Sequence, residues 1–142
     1  MNYKELADLI FPNAKDISYY EEKYATRNLP EGALVTRVAP SPTGNVHIGT
    51  IYQALINKTL ATQSNGVFYT RIEDTDQKRE VDGGISQIIK SLEIFDVAPD
   101  EGMFSETEFK GEYGPYKQSQ RKEIYESYAK YLLEQQAENA QK

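Results

Sequence analysis

Val35-Thr36-Arg37-Val38-Ala39-Pro40-Ser41-Pro42-Thr43-Gly44-Asn45-Val46-His47-Ile48-Gly49-Thr50 is the stretch that decides the fold. It runs an apolar strand into a stiff proline and glycine loop, then into the opening of an amphipathic helix. Pro40 and Pro42 fix φ near about −65° on either side of Ser41, which makes the segment extended and rigid. Gly44 lets the chain turn. Gly49 falls in the first helical turn, where a glycine lowers stability unless something approaches closely. A strand that ends in small residues and feeds a helix N-terminus suits an anion, because unbonded amides and the positive end of the helix dipole face it. Arg37, Ser41 and His47 set polar groups around that same point. As chemistry, Arg37 can hold a carboxylate bidentately, Ser41 offers a hydroxyl and an amide, and His47 can donate to a phosphate oxygen. As architecture, the same residues are a rigid connector with an N-capping histidine and a surface arginine. Spacing alone leaves both readings open.

Downstream, the spacing predicts a helix from His47 to Ser64, with Ile48, Ile51, Leu55, Ile56 and Leu60 turned to a sheet and Asn65-Gly66 as its stop. Val67 to Ile72 is rich in β-branched and aromatic residues and reads as a second strand. Strand, helix and strand with short joins make a right-handed parallel crossover. Ligands of such sheets bind beyond the carboxyl ends of the strands. Arg71-Ile72-Glu73-Asp74-Thr75-Asp76 therefore meets the first loop. Three acids within four residues need compensating cations. Glu73 suits an ammonium group, whereas Asp74 and Asp76 read equally well as turn caps paired with Arg71 and Arg79.

Gly84 to Phe95 carries Ile85, Ile88, Ile89 and Leu92 at helical spacing, and Ala98 to Gly102 breaks it. Phe104 to Lys117 reads as a surface loop. Tyr113-Gly114-Pro115-Tyr116-Lys117-Gln118-Ser119-Gln120-Arg121 is either a base-stacking basic loop or a loop stapled by its aromatics ahead of a helix capped by Ser119. The second is favoured. The last helix runs from Ser119 to about Gln136 with Ile124, Tyr128, Tyr131 and Leu132 facing inward. Upstream lies a helical arm. It comprises Tyr3 to Phe11 and a short helix from Ser18, where Ser18 and Glu21 match a capping box.

Composition narrows the class. The chain has 142 residues, 22 acidic against 16 basic, and a formal net charge of −6, which argues against autonomous nucleic-acid binding. No cysteine excludes disulfides, thiolate nucleophiles and zinc ribbons, and a single histidine is too few for a histidine-based metal cluster. There is no apolar run of membrane-spanning length and no leader pattern, so a cytoplasmic, soluble protein without membrane contact is expected.

Thr36-Arg37-Val38-Ala39-Pro40-Ser41-Pro42-Thr43-Gly44, His47-Ile48-Gly49-Thr50, Arg71-Ile72-Glu73-Asp74-Thr75-Asp76 and Tyr116-Lys117-Gln118-Ser119-Gln120-Arg121 closely resemble, in order, segments of the bacterial glutamyl-tRNA synthetases. His47-Ile48-Gly49-Thr50 resembles the HIGH signature of class I synthetases. Ala-Pro-Ser-Pro-Thr-Gly points to the glutamyl rather than the glutaminyl branch. The resemblance implies an α/β fold. Residues 33–142 would be the N-terminal half of a Rossmann-like (class I synthetase, HUP-type) parallel-sheet domain, preceded by a short helical arm over residues 1–32.

It further implies that Arg37, Ala39, Ser41 and Glu73 hold glutamate, with Arg37 on a carboxylate and Glu73 on the ammonium. Pro40, His47 and Gly49 would lie at ATP, with His47, Gly49 and Thr50 serving catalysis. Asp76 and Arg79 would lie near the tRNA 3′ end, and Mg²⁺ would arrive with ATP, with no resident metal and no zinc in this segment. Partners would be glutamate, ATP and tRNA(Glu), the last contacted mainly through regions outside this chain. The pattern departs at Tyr52, where the family often has arginine. Without the lysine loop and anticodon-binding domain of the family, the isolated chain is expected not to exchange pyrophosphate with ATP. Two other readings are a piece of the short paralogues that glutamylate queuosine in tRNA, and a non-catalytic module that holds glutamate or an adenylate.

Overall fold

The computed structural model describes residues 2–76 and 78–139. Its elements are α1 (Tyr3–Ile10), α2 (Ile17–Lys23), β1 (Val35–Val38), α3 (Ile48–Gln63), β2 (Val67–Thr70), α4 (Gly84–Ile94), β3 (Gly102–Met103), β4 (Phe109–Lys110) and α5 (Lys122–Asn139), the last preceded by a 3₁₀ turn over Gln118–Arg121. Contacts divide the chain into two compact units, residues 27–119 and residues 1–26 with 120–142.

In the unit of residues 27–119, β1 and β2 pair in parallel from Val35↔Val67 to Val38↔Thr70. α3 is the crossover between them, so the strand–helix–strand reading holds. The α/β class follows, with the parallel pair and its crossover helix forming a Rossmann-like unit. Ordered pairing does not stop at the named strands. The carbonyls of Val38, Pro40 and Pro42 accept from the amides of Arg71 (3.2 Å), Glu73 (2.9 Å) and Val81 (2.9 Å). Alternate carbonyls of an extended strap point to one side. Pro40 and Pro42 have no N–H to offer elsewhere, so the strap spends only acceptors.

The buried core of this unit is built on Phe68, Ile72, Ile85, Ile88, Leu92 and Val97, with Met103 and Tyr116 closing it. α3 contributes Ile51, Ala54 and Ala61. This corrects the expected face of that helix. Ile48 (75% exposed), Leu55, Ile56 and Leu60 point away, and the face that meets the sheet is built from the small Ala54 and Ala61 together with Ile51. Both long helices of the unit stop on a Schellman turn. Asn65 (φ 53°) ends α3 with the Gly66 amide on the Ala61 carbonyl at 2.8 Å, and Asp96 (φ 56°) ends α4 with the Val97 amide on the Leu92 carbonyl at 2.9 Å. α4 therefore ends before Ala98, on its own C-terminal turn. Gly66 has a different duty from a left-handed cap: a Cβ there would collide with the Leu34 carbonyl.

The segment expected as a bare surface loop after residue 104 is more ordered than its polarity suggested. β3 and β4 pair antiparallel, Gly102↔Lys110 and Met103↔Phe109, and Tyr116 is only 2% exposed.

In the other unit, α1 carries the capping box, Asn2 with Glu5, and α5 packs along α1. Lys130 Nζ of α5 lies 2.6 Å from Asp8 of α1. The capping box expected at Ser18 and Glu21 is absent: Asp16 caps α2, accepting from the Ser18 amide at 2.9 Å, because Asp16 already precedes the first turn. Of the residues expected to turn inward on α5, Ile124 is buried while Tyr128, Tyr131 and Leu132 are exposed. Among the described residues, no helix is long and apolar enough to cross a membrane.

Candidate active site at the strand ends

β1 delivers Arg37 to its last turn of ladder, and the extension of β2 delivers Glu73 beside it. The two side chains face each other, Arg37 Nη1 lying 3.7 Å from Glu73 Oε1. Arg71 Nη2 lies 3.9 Å from the same oxygen. These are long for charge-assisted hydrogen bonds, which close at about 2.7–2.9 Å. Both Arg37 and Glu73 keep about a third of their side chains in solvent, at 35% and 29%. The pair is loose, open and opposite in charge. It has the complementarity of a zwitterion, which can set an ammonium beside Glu73 and a carboxylate beside Arg37.

The strap between β1 and α3 frames this pair. Pro40 is buried, Ala39 half-buried and Ser41 exposed, so the strap turns its proline to the core and its hydroxyl out. His47 occupies the N-cap position of α3 without a side-chain cap bond, and its ring is exposed. His47 is thus the N-cap residue of the architectural reading, but its side chain does not close the cap. The Thr50 amide turns back to the His47 carbonyl at 2.9 Å, while the amides of Ile48 and Gly49 precede any intrahelical acceptor. A Cβ built on Gly49 meets nothing within 4 Å. No neighbour in the chain requires glycine there, so the bare backbone is available to something from outside.

Asp74 plays a different part. It is 7% exposed, and its two oxygens accept from the Ser119 amide (2.8 Å) and the Ser119 hydroxyl (2.6 Å). It ties the next segment down, a pairing across 45 positions that spacing did not reveal. Arg79 is exposed, Asp76 is half-buried, and the two are bound to each other at 2.6 Å. Among the described residues, no three His, Cys, Asp or Glu side chains converge as a metal cluster.

The remaining polar cluster of this unit was not foreseen as a group. Arg27 grips Glu101 through two bonds of 2.6 and 2.7 Å, the Tyr116 hydroxyl donates to Glu101 at 2.9 Å, and the Tyr113 amide donates to that hydroxyl at 3.1 Å. The Arg27 guanidinium stands 3.7 Å over the Tyr113 ring. Arg27 holds the Glu101 carboxyl below the usual range against the opposing effect of burial, and burial pushes the Tyr116 phenol up to about 12. Tyr113 and Tyr116 stood out in the sequence, but Arg27 and Glu101 are 74 positions apart and carried no joint signal.

A parallel crossover whose strand ends hold an opposed ionic pair defines an α/β, Rossmann-like unit. Residues 33–138 match the family described as tRNA synthetases class I (E and Q), catalytic domain, and the chain belongs to that family. Among its relatives, the glutamate–tRNA ligase of Clostridium beijerinckii is 58% identical over 134 residues, 94% of this chain and 24% of that protein. The mitochondrial glutamate–tRNA ligase of Schizosaccharomyces pombe is 42% identical over 136 residues, again 94% and 24%. A glutamate tRNA ligase from Elizabethkingia meningosepticum, solved in complex with its amino acid, superposes with a TM-score of 0.63 at 40% identity, over 71% of this chain and 19% of that one. The chain thus spans about a quarter of the length of the curated relatives it matches.

Proposed function

We propose that this chain is the substrate-holding N-terminal part of a glutamate–tRNA ligase, which activates glutamate with ATP to glutamyl-adenylate, releasing pyrophosphate, and passes the glutamyl group to the 3′ end of tRNA(Glu). The observation that carries the reading is the loose Arg37–Glu73 pair, 3.7 Å apart at the ends of two parallel strands. Glutamate replaces one long ion pair with two short ones, Glu73 on its ammonium and Arg37 on a carboxylate. Ala39 and Ser41 line the strap beside it. Relatives 54–58% identical over most of the chain carry the glutamate–tRNA ligase name, and that span includes the helical arm, which favours the ligase over the shorter tRNA-modifying paralogues.

ATP, carrying Mg²⁺ as part of the substrate, is assigned to the N-terminus of α3. Pro40 stiffens the strap that leads to this helix, Gly49 leaves the backbone bare, and the exposed His47 ring can donate to phosphate oxygens. In the reaction a glutamate carboxylate oxygen attacks the α-phosphorus, the new P–O bond forms as the bond to pyrophosphate breaks, and negative charge grows on the leaving oxygens. Helix amides, His47 and Thr50 answer that charge, so the chemistry rests on positioning and preset donors. Asp76 and Arg79 are assigned to the tRNA 3′ end; their exposed pairing is cheap to break. The compartment assigned is the cytoplasm.

The test is a titration of the ¹⁵N-labelled chain with glutamate, with aspartate and glutamine as controls. Saturable shifts at Arg37, Ser41 and Glu73 for glutamate alone support the reading. Equal response to all three, or none in a folded chain, overturns it.

A further inference from the structure

We propose that Arg27, Glu101 and Tyr116 form a positioning unit for the amino-acid site, a latch that fixes the 113–119 segment against the strand end bearing Glu73. This rests on the reading of Arg37 and Glu73 as that site. The latch is tightly made. A planar guanidinium meets a carboxylate with two charge-assisted bonds, both side chains only 16% exposed, and stacks on Tyr113. The Tyr116 hydroxyl supplies a third partner to Glu101 while accepting the Tyr113 amide. Removing either charge from water is costly unless every remaining donor and acceptor is met, so the four groups hold together or come apart together.

What the latch holds is the neighbourhood of Glu73. The Ile72 amide donates to the Tyr116 carbonyl, and the Gln118 amide donates to the Ile72 carbonyl, each at 2.9 Å. Ser119 clasps Asp74 with its amide and its hydroxyl. The residues on both sides of Glu73 are therefore pinned by one segment, while the Glu73 amide itself is bound to Pro40. Tyr116 is the buried residue that carries this segment into the core, and Glu101 also presents its carbonyl to the Thr70 amide at the end of β2. A loosened latch leaves β1, α3 and α4 packed but lets the Glu73 carboxylate wander relative to Arg37.

The experiment uses the whole chain and three variants. Tyr116→Phe removes only the hydroxyl, Arg27→Lys keeps the charge without the fork, and Ile88→Val trims one methyl from the core at α4 while leaving every hydrogen bond of the latch in place. Native-state hydrogen exchange and glutamate titration are read at a temperature where all four proteins are folded. The proposal expects Ile72, Gln118 and Ser119 amides to exchange at least tenfold faster in the two latch variants, with Val67 and Gln87 within twofold of wild type. It also expects glutamate affinity to fall at least fivefold in both, and to hold in Ile88→Val despite its lower melting temperature. Unchanged local exchange, unchanged affinity, or an equal affinity loss in Ile88→Val overturns it. A wild-type chain that takes no glutamate overturns the site reading itself, and the latch's role falls with it; the wild-type titration separates that failure from the others.

Discussion

Glu73 and Gly49 behave as opposite kinds of residue, and each makes its own prediction. Glu73 is partly exposed and only loosely paired, so Glu73→Gln is expected to leave the melting temperature within about 2 °C, as surface changes do. Glutamate affinity should fall at least tenfold in the same variant, read by titration. Gly49 sits in a helix with open space around a built Cβ and no positive φ. Gly49→Ala is therefore expected to stabilise the fold by about 0.5–1 kcal/mol in denaturant unfolding. The same substitution should weaken ATP binding in a nucleotide titration. A glycine whose replacement stabilises the protein and impairs the ligand is kept for the ligand. Arg37, Ser41, His47 and Glu73 could all be picked out in the sequence, because motif order and strand ends point to them. Asp74 reads in the sequence as either a ligand carboxylate or a turn cap, and only the fold shows Ser119 coming back to it.

At the scale of elements, the strand-to-loop joins respond to pH through the latch. Glu101 has its carboxyl held low by Arg27, so its contribution is complete above the unfolded carboxylate value and is lost as pH falls through the lower folded one. Acid should therefore weaken the 101–119 segment, and Glu101→Gln should flatten that part of the stability–pH curve. Tyr116 has the opposite sign. Its folded value of about 12 lies above the ordinary tyrosine value, about 10, so stability present below pH ~10 is lost as pH rises toward ~12. Tyr116→Phe removes this alkaline limb, measured by chemical denaturation across pH. Gly102 shapes the same join. At φ 130° a side chain is strained, and a Cβ would press on the Thr70 hydroxyl and backbone. Gly102→Ala should cost about 2 kcal/mol or more. The elements themselves were legible: α3, α4 and both parallel strands lie where periodicity placed them, within a few residues. β3 and β4 were not, because two-residue strands carry no periodic signal.

The unit of residues 27–119 is unusual in its surface. α3 is apolar on both sides. One face meets the sheet through Ile51, Ala54 and Ala61, and the other exposes Ile48, Tyr52 (63%), Leu55 (49%) and Leu60 (43%). Exposed apolar side chains gathered on one helix promote association. Among the described residues, no strand pairs with the outer edge of β1, whose Val35 is 46% exposed. This chain by itself is expected to bind a hydrophobic dye and to self-associate with rising concentration in sedimentation, and Leu55→Glu with Tyr52→Glu should reduce both.

The sequence by itself determined the strand–helix–strand core, the strap and which strand ends come together. Local chemistry sufficed for these: proline fixes its own φ, amphipathic spacing fixes a helix, and strand direction fixes which ends meet. Only the tertiary structure decided which face of α3 the sheet takes, that α5 packs with α1, and that Arg27, Glu101 and Tyr116 meet. Those outcomes depend on contacts between residues tens of positions apart, where the fit of volumes and the pairing of buried charge select the partner and no spacing records it.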